Sequence, residues 1–204
     1  MHLSWLGQTA LKIQTKHLDQ DVLALIDPYR PPSGDFPRSF TPTIALFSRG
    51  REGQATLSGT PLVVDTLGEF ELKEVMITAF PGEGSGLIFK IVAEGISLVH
   101  LGRLAKKIDP AALEKIGAID ILCLPAGNGA NYLPLPDAVD LVTALEPRVV
   151  IPLAYHSPND TGAKPLKDWL HELGVQPKLT DQKIIIKKKD LPADEMQVWV
   201  LEKT

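Results

Sequence analysis

The chain has 204 residues, of which 44% are hydrophobic and 23% charged, a profile typical of a globular protein with a substantial core. Its net charge of −4 argues against a general binder of nucleic acid or of anionic membranes. No apolar stretch approaches the roughly 18 residues of a membrane-spanning helix, and no secretory signal is visible. Cys123 is the only cysteine and lies in an apolar run, so we expect a buried thiol, no intramolecular disulfide and a cytoplasmic protein.

The first two-thirds of the chain read as a series of short strands. Apolar and β-branched runs, broken by Gly, Pro, Asp or Ser, predict strands at HLSWL, ALKIQ, VLALI, TIALF, LVVDT, EVMITA and LIFKIVA. The proline-rich segment 27–42, DPYRPPSGDFPRSFTP, can form neither helix nor sheet and is expected to be a long loop. Long loops in compact domains often carry function or cover a site.

Helices then alternate with strands. Asp109-Pro110 predicts a helix start and Gly117 its end, and apolar residues at helical spacing predict a second helix from near Asp137 to Pro147. A third helix, PLKDWLHELG, is predicted after the polar loop 157–164, SPNDTGAK. The remaining predicted strands are GISLVHL, IDILCLP, RVVIPL, KIIIKKK and MQVWVLE. Together these elements predict one domain over 1–204, with two sheets packed face to face and helices outside, an α/β sandwich.

Several catalytic motifs are excluded by their context. GEGSG at 82–86 has the glycines of a phosphate loop, but it leads into a strand and lacks Lys-Ser/Thr, so it does not favour nucleotide binding. AGNGAN at 126–131 is better interpreted as a turn. His171 in HELGV has no second histidine at the spacing of a zinc protease, and the chain contains no G-x-S-x-G elbow of a serine hydrolase.

Five motifs along the chain point to one family. HLSWLGQTALKIQT, LALIDPY, LGEFELKEVMI, LVHLGRL and LEPRVVIPLAYH occur in this order. They resemble, respectively, the opening strands, the strand ending in Asp-Pro, Gly-Glu-Tyr-Glu, His-Leu-Gly-Asp-Leu and Pro-Lys-Val-Val-Ile-Pro-Met-His-Tyr of the metallo-β-lactamase superfamily. The resemblance covers nearly the full chain and is greatest to the bacterial zinc-dependent hydrolases related to L-ascorbate-6-phosphate lactonases. It implies a four-layer αββα sandwich.

The resemblance also implies a zinc site, but the ligand positions have changed. The family binds one or two Zn²⁺ through His-x-His-x-Asp-His, a further histidine, a bridging aspartate and a last histidine. The loop that should carry the further histidine is PGEGSG, and the other positions are occupied by Arg49, Arg51, Gly53, Gln54, Arg103 and Ala154. Arginine has no lone pair to offer a cation, and glycine and alanine have no side-chain donor. We therefore expect that zinc and its activated water are lost and that no cofactor is bound.

The sequence leaves more than one possibility for the ligand of the former metal site. If Arg49, Arg51 and Arg103 all point toward the former metal site, they need water, carboxylates or a bound anion, so a phosphate or carboxylate ligand is one hypothesis. Further candidate contacts to the anion are Gln54, Tyr155 and His156. The alternative is that Arg49 and Arg51 face solvent or pair with Glu52 and Asp27, while Arg103 pairs with another acid nearby. Asp27 and His100 are expected to support the site structurally.

Two functional interpretations follow. The first is a non-catalytic family member, or pseudoenzyme, retained as a binding or assembly module that takes a small anion and has no nucleic-acid or membrane partner; homo-oligomerisation is left open. The second is an active metal-dependent hydrolase whose metal is held by unusual ligands, such as Asp27, Asp65, His100 and His156. Metal analysis separates the two.

Overall fold

Two β-sheets face each other across the centre of the molecule. The computed structural model describes residues 1–31, 40–127, 132–157 and 162–204. Its strands are β1 (His2–Gly7), β2 (Ala10–His17), β3 (Gln20–Ile26), β4 (Ile44–Leu46), β5 (Leu62–Val64), β6 (Gly68–Leu72), β7 (Val75–Pro81), β8 (Leu87–Ala93), β9 (Ile96–His100), β10 (Ile121–Pro125), β11 (Val149–Leu153), β12 (Lys178–Thr180), β13 (Ile184–Ile185) and β14 (Gln197–Leu201). Its helices are α1 (Pro110–Ile116), α2 (Leu135–Leu145), α3 (Lys167–Leu173) and the 3₁₀ helix Lys188–Asp190.

The first sheet has six strands in the order β13-β1-β2-β3-β4-β5. Pairing is antiparallel from β13 to β3 and parallel from β3 to β5. The second sheet has eight strands in the order β12-β14-β11-β10-β9-β8-β7-β6. Its strands β6 to β9 pair antiparallel and the rest pair parallel, as the helical connections between them require.

The main core fills the space between the two sheets. Alternate residues of both sheets point inward, and Trp5, Ile13, Phe89 and Cys123 are fully buried there. The thiol of Cys123 is therefore buried as expected, and burial raises its pKa. This arrangement confirms the expected mixed α/β fold with two facing sheets.

Helices cover part of the outer face of the second sheet. Ile116 of α1, Leu141 of α2 and Trp169 of α3 pack with Val99 and Leu122 of the sheet in a second apolar cluster. The outer face of the first sheet is covered differently within the described ranges. There Phe40 and Leu57, from segments between strands, pack on a small cluster of Leu6, Ala10, Leu25 and Tyr29.

Most predicted elements differ from the observed ones by one or two residues at an end, and larger differences also occur. Strands β6 and β12 were not predicted, and α2 begins at Leu135 instead of near Asp137. Of the predicted strand KIIIKKK only Ile184–Ile185 (β13) is a strand, because Lys188 and Lys189 belong to the 3₁₀ helix. The predicted loops at 27–42, 126–131 and 157–164 lie partly outside the described residues. In the ranges that are described, no helix is both long enough and apolar enough to cross a bilayer.

Candidate functional site

Strand β4 delivers the loop 48–54, where the family resemblance places the metal ligands. Ser48 begins this loop and is buried. Its backbone N–H donates to Asp27 Oδ1 (2.7 Å) and its hydroxyl donates to Asp27 Oδ2 (2.6 Å). Its carbonyl oxygen accepts from the N–H of Leu87 at 2.8 Å, which ties the loop to the second sheet. The position of the loop is therefore set by hydrogen bonds of Ser48 to Asp27 and to Leu87.

Asp27 is the anchor of this loop. It follows β3 in a left-handed backbone conformation (φ 46°) and is buried. Besides both donors of Ser48, its carboxylate accepts from the hydroxyl of Thr9 at 3.1 Å. With three donors on its two oxygens, the carboxylate holds protein groups together and has little capacity left for a ligand. This geometry is that of structural support.

His100 lies at the end of β9 and is fully buried. Its Nε2–H donates to the carbonyl oxygen of Thr9 at 2.8 Å, and the N–H of Gly102 donates to its Nδ1 at 3.1 Å. Because one ring nitrogen donates and the other accepts, these partners fit the neutral imidazole. Burial lowers the pKa of His100 below its ordinary value of 6.5, although the charge of Asp27 and the bond to Thr9 oppose the shift.

The lowered pKa of His100 predicts that acid destabilises the protein. A histidine that resists protonation when folded contributes full stability above pH 6.5, its value when unfolded, and this contribution is lost as the pH falls toward the folded pKa. We expect the free energy of unfolding, measured by denaturant titration, to fall progressively below pH 6.5. His100→Gln, whose amide can donate to Thr9 and accept from Gly102, should flatten that fall; identical pH profiles for both proteins would contradict the assignment.

An ion cluster lies beside Arg49, one of the positions where the family resemblance expects a metal ligand. Glu83 accepts from Lys106 Nζ (3.2 Å to Oε1), from the N–H of Ala105 (3.2 Å to Oε2) and from Arg49 Nη2 (3.5 Å to Oε2). The hydrogen bond from Lys106 is the main cause that lowers the pKa of Glu83. Sequence reasoning missed Glu83, although it is the one acidic residue of PGEGSG, the loop in which the family would carry a histidine.

The GEGSG segment forms a closed turn. The N–H of Gly82 donates to the carbonyl oxygen of Gly86 at 2.8 Å. The N–H of Gly86 donates to the backbone carbonyl oxygen of Glu83, also at 2.8 Å. These backbone donors are thus used within the turn and cannot cradle a phosphate. The turn presents Glu83 toward Arg49.

Arg103 lines the same cleft as Arg49 and Glu83, along with Ser48 and Leu101. It is partly buried, and within the described residues it has no ion-pair or hydrogen-bond partner. The volume of the cleft is only about 10 Å³, which is room for one water molecule at most. Any ligand of these arginines must therefore lie at the mouth of the cleft.

Arg51 and Gln54 do not line this cleft. Arg51 donates through Nε (2.8 Å) and Nη2 (2.7 Å) to Asp65 Oδ2, lies over the ring of Phe47, and is 60% exposed. Gln54 Nε2 donates to the carbonyl oxygen of Gly50 at 3.3 Å. The expected convergence of all three arginines is therefore wrong for Arg51. The alternative fits better in kind, since Arg49 and Arg51 are both partly exposed and ion-paired, but their partners are Glu83 and Asp65 and not Glu52 and Asp27. The acid partner expected for Arg103 is not found among the described residues.

Tyr155 and His156 follow β11 but do not join the arginines. The hydroxyl of Tyr155 donates to the carbonyl oxygen of Leu201 at 2.8 Å, its ring packs 4.4 Å from that of Trp5, and burial raises its pKa to about 12. His156 is exposed, with its backbone N–H donating to the carbonyl oxygen of Lys164. Across the described ranges, neither side chain forms a hydrogen bond or ion pair with Arg49.

The side chains at the site do not fit zinc. Within the part of the chain that the structure describes, no three His, Cys, Asp or Glu side chains come together as a metal site. The alternative ligand set of Asp27, Asp65, His100 and His156 therefore does not assemble. Asp27 and His100 are committed to protein donors and acceptors, and cations surround Glu83, so a dication would be opposed by neighbouring charge.

Solved structures with the same fold include several metal-dependent hydrolases. A candidate Zn-dependent hydrolase of the metallo-β-lactamase superfamily from Thermotoga maritima superposes with a TM-score of 0.83 at 24% identity, over 98% of each chain. A metallo hydrolase from the archaeon Ignicoccus hospitalis has a TM-score of 0.63 at 16% identity, over 85% of this chain and 90% of that one. An isothiocyanate hydrolase from Delia radicum gut bacteria also has a TM-score of 0.63, at 11% identity, over 85% and 93%.

The family itself is shown by the sequence match. No curated protein sequence matches the chain. The family model described as the beta-lactamase superfamily domain matches residues 2–154, which is most of the chain and includes the loop 48–54, His100 and Arg103. Together with the two facing sheets, this match means that the chain belongs to the beta-lactamase superfamily and has the metallo-β-lactamase fold.

Proposed function

We propose that the chain is a non-catalytic member of this superfamily that binds a small anion at the mouth of its former metal cleft. The observation that carries the proposal is the charge balance of the site. Arg49, Arg103 and Lys106 place three cations around the single carboxylate of Glu83, and Arg103 has no partner within the described residues. A partly buried guanidinium without a counter-ion favours an anionic ligand.

The ligand that fits is an anionic group on a larger, exposed molecule. The cleft is too small to enclose a phosphate, so only oxygens can reach the arginines while the rest of the ligand stays outside. Arginine forks suit the oxygen pairs of phosphate and carboxylate. The motif resemblance to the bacterial branch related to L-ascorbate-6-phosphate lactonases makes sugar phosphates the first ligands to test. A cytoplasmic location remains part of this proposal.

We propose the loss of zinc hydrolysis because the side chains at the expected ligand positions cannot coordinate zinc. The solved neighbours named as metal-dependent hydrolases share the fold, but the positions that resemble the family's ligand motif carry arginine, glycine, glutamine and alanine here. Without converging donors, no water is activated. No contact among the described residues favours the alternative, a hydrolase with unusual ligands.

Anion binding predicts a selective thermal shift. At a ligand concentration about ten times the dissociation constant, we expect the melting temperature to rise by about 3–6 °C. The panel is phosphate, sulfate, nucleotides and sugar phosphates, measured by differential scanning fluorimetry. Arg103→Ala should abolish the rise, because it removes the unpaired guanidinium from the cleft.

Arg51→Ala is the matched control for this shift. It removes the same charge from a residue that pairs with Asp65 outside the cleft, so the shift should persist. The proposal fails if no anion of the panel stabilises the wild-type protein, or if Arg51→Ala and Arg103→Ala reduce the shift equally.

Loss of the metal site predicts that protein purified without chelators carries no stoichiometric zinc, manganese or iron. We further expect that Arg49→His does not restore tight zinc binding, because one imidazole cannot supply the three or four donors that zinc needs. Inductively coupled plasma mass spectrometry measures both. Stoichiometric metal in either protein would support the hydrolase interpretation instead.

A further inference from the structure

The outer face of the second sheet is only partly covered by helices. At the β6–β7 end an open groove of about 760 Å³ remains beside α1. We call this groove the shelf and define it by Glu69, Glu71, Met76, Thr78, Lys90 and Lys115. Met76 of β7 is 49% exposed on the floor of the shelf, although methionine is among the residues most often buried.

The two sides of the shelf carry opposite charge. Register places Glu69 opposite Thr78, and Thr78 opposite Lys90, in one row across three strands. With strands about 4.8 Å apart, the acidic rim on β6 and the basic rim on β8 and α1 are separated by about 10 Å. In the described structure Glu69, Glu71 and Lys115 have no ion-pair partner. These charges are thus available to a partner molecule.

Lys90 has a different role from Lys115. Its Nζ donates to the carbonyl oxygens of Ile116 (2.5 Å) and Ala118 (3.2 Å), and so it holds the end of α1 against the sheet. The basic rim is therefore fixed relative to the shelf floor. Lys115, which is exposed on α1, is the residue of this rim that can be changed without releasing the helix.

We propose that the shelf binds a second copy of this chain. A two-fold axis parallel to β7 places the acidic rim of each copy over the basic rim of the other, and brings each α1 over the other's bare strands. A surface with one acidic and one basic rim is complementary to itself under this rotation, as an isologous dimer requires. Edge-to-edge pairing through β6 is disfavoured by the charged side chains along that strand.

Charge reversal in two separate variants tests the dimer. Sedimentation velocity up to about 100 µM, enough to populate a dimer with a micromolar dissociation constant, should show wild-type dimer. The variant E69K/E71K places basic rims against basic rims, and K115E removes the free cation of the basic rim and sets a new carboxylate against the acidic rim, while Lys90 stays bound to the end of α1. Each variant alone should dimerise at least about tenfold more weakly than the wild type.

A mixture of the two variants gives the decisive result. In the mixed dimer every contact again pairs a basic with an acidic rim, so mixing should restore association. E172K, an exposed charge reversal on α3, is the control and should dimerise as the wild type does. Circular dichroism confirms that every variant folds. A monomeric wild-type protein, or a dimer that neither single variant weakens, overturns the proposal.

Discussion

Replacing Asp27 with alanine is expected to lower the free energy of unfolding by about 3–5 kcal/mol, the cost of breaking a buried, fully bonded charge. The substitution leaves three buried donors without an acceptor, namely the N–H and hydroxyl of Ser48 and the hydroxyl of Thr9. It also places alanine at a φ of 46°, where a β-carbon is strained. Urea titration followed by circular dichroism measures the change.

The substitution Asp27→Asn provides the matched comparison. The amide oxygen can still accept from the backbone of Ser48, and the hydroxyls of Ser48 and Thr9 can rotate to accept from the amide nitrogen. Asparagine also tolerates the left-handed conformation. We expect a loss of about 1–2 kcal/mol, well below that of alanine. Equal losses for the two substitutions would show that the hydrogen bonds contribute little.

Replacing Gly102 with alanine is the second large effect. A β-carbon there would lie 2.5 Å from the Cβ and 2.6 Å from the Oγ of Ser48, and 3.1 Å from the carbonyl oxygen of Leu87. Ser48 cannot move away, because both its donors are bound to Asp27. Strain at φ 60° and the overlap together should cost about 2–5 kcal/mol of the free energy of unfolding.

Gly53→Ala separates the overlap from the backbone strain. Gly53 has a similar φ of 70°, but a β-carbon there meets no atom within 4 Å. Its substitution should cost only about 1–2 kcal/mol. If the two glycine variants unfold at the same urea concentration, the close packing of Ser48 against Gly102 is not a source of stability.

Much of the fold could be predicted because its strands and helices carry local patterns. The apolar run ILCLP gives β10, and the Asp109-Pro110 pair gives the start of α1, where Asp109 caps the helix. Strand β6 was missed because Gly68, Glu69 and Glu71 have low strand preference. Its position is decided by pairing with β7 and by the packing of Phe70 against the core, and neither is visible locally.

The site was harder to predict than the fold. The family resemblance predicts that Arg49, Arg51 and Arg103 stand at the ligand positions, but the sequence does not tell which way a long side chain points. Arg51 turns outward because Asp65, distant in sequence, offers it two hydrogen bonds. Tyr155 turns inward because its ring gains a contact with Trp5. Such choices depend on neighbours that only the folded chain brings together.

The contacts of Asp27 explain how this surface could change its chemistry without unfolding. Ser48 holds the loop from beneath, and the backbone of Gly53 and Gln54 pairs with residues 29–30. The side chains of Arg49 and Arg51, in contrast, are about half exposed and form ion pairs with Glu83 and Asp65. Substitutions of Arg49 and Arg51 are therefore expected to cost little folding free energy, so the chemistry of this surface can vary while the loop keeps its position. Because the position of the loop does not depend on these side chains, the loop is suited to engineering in which a complete set of metal-donor side chains is introduced in one step.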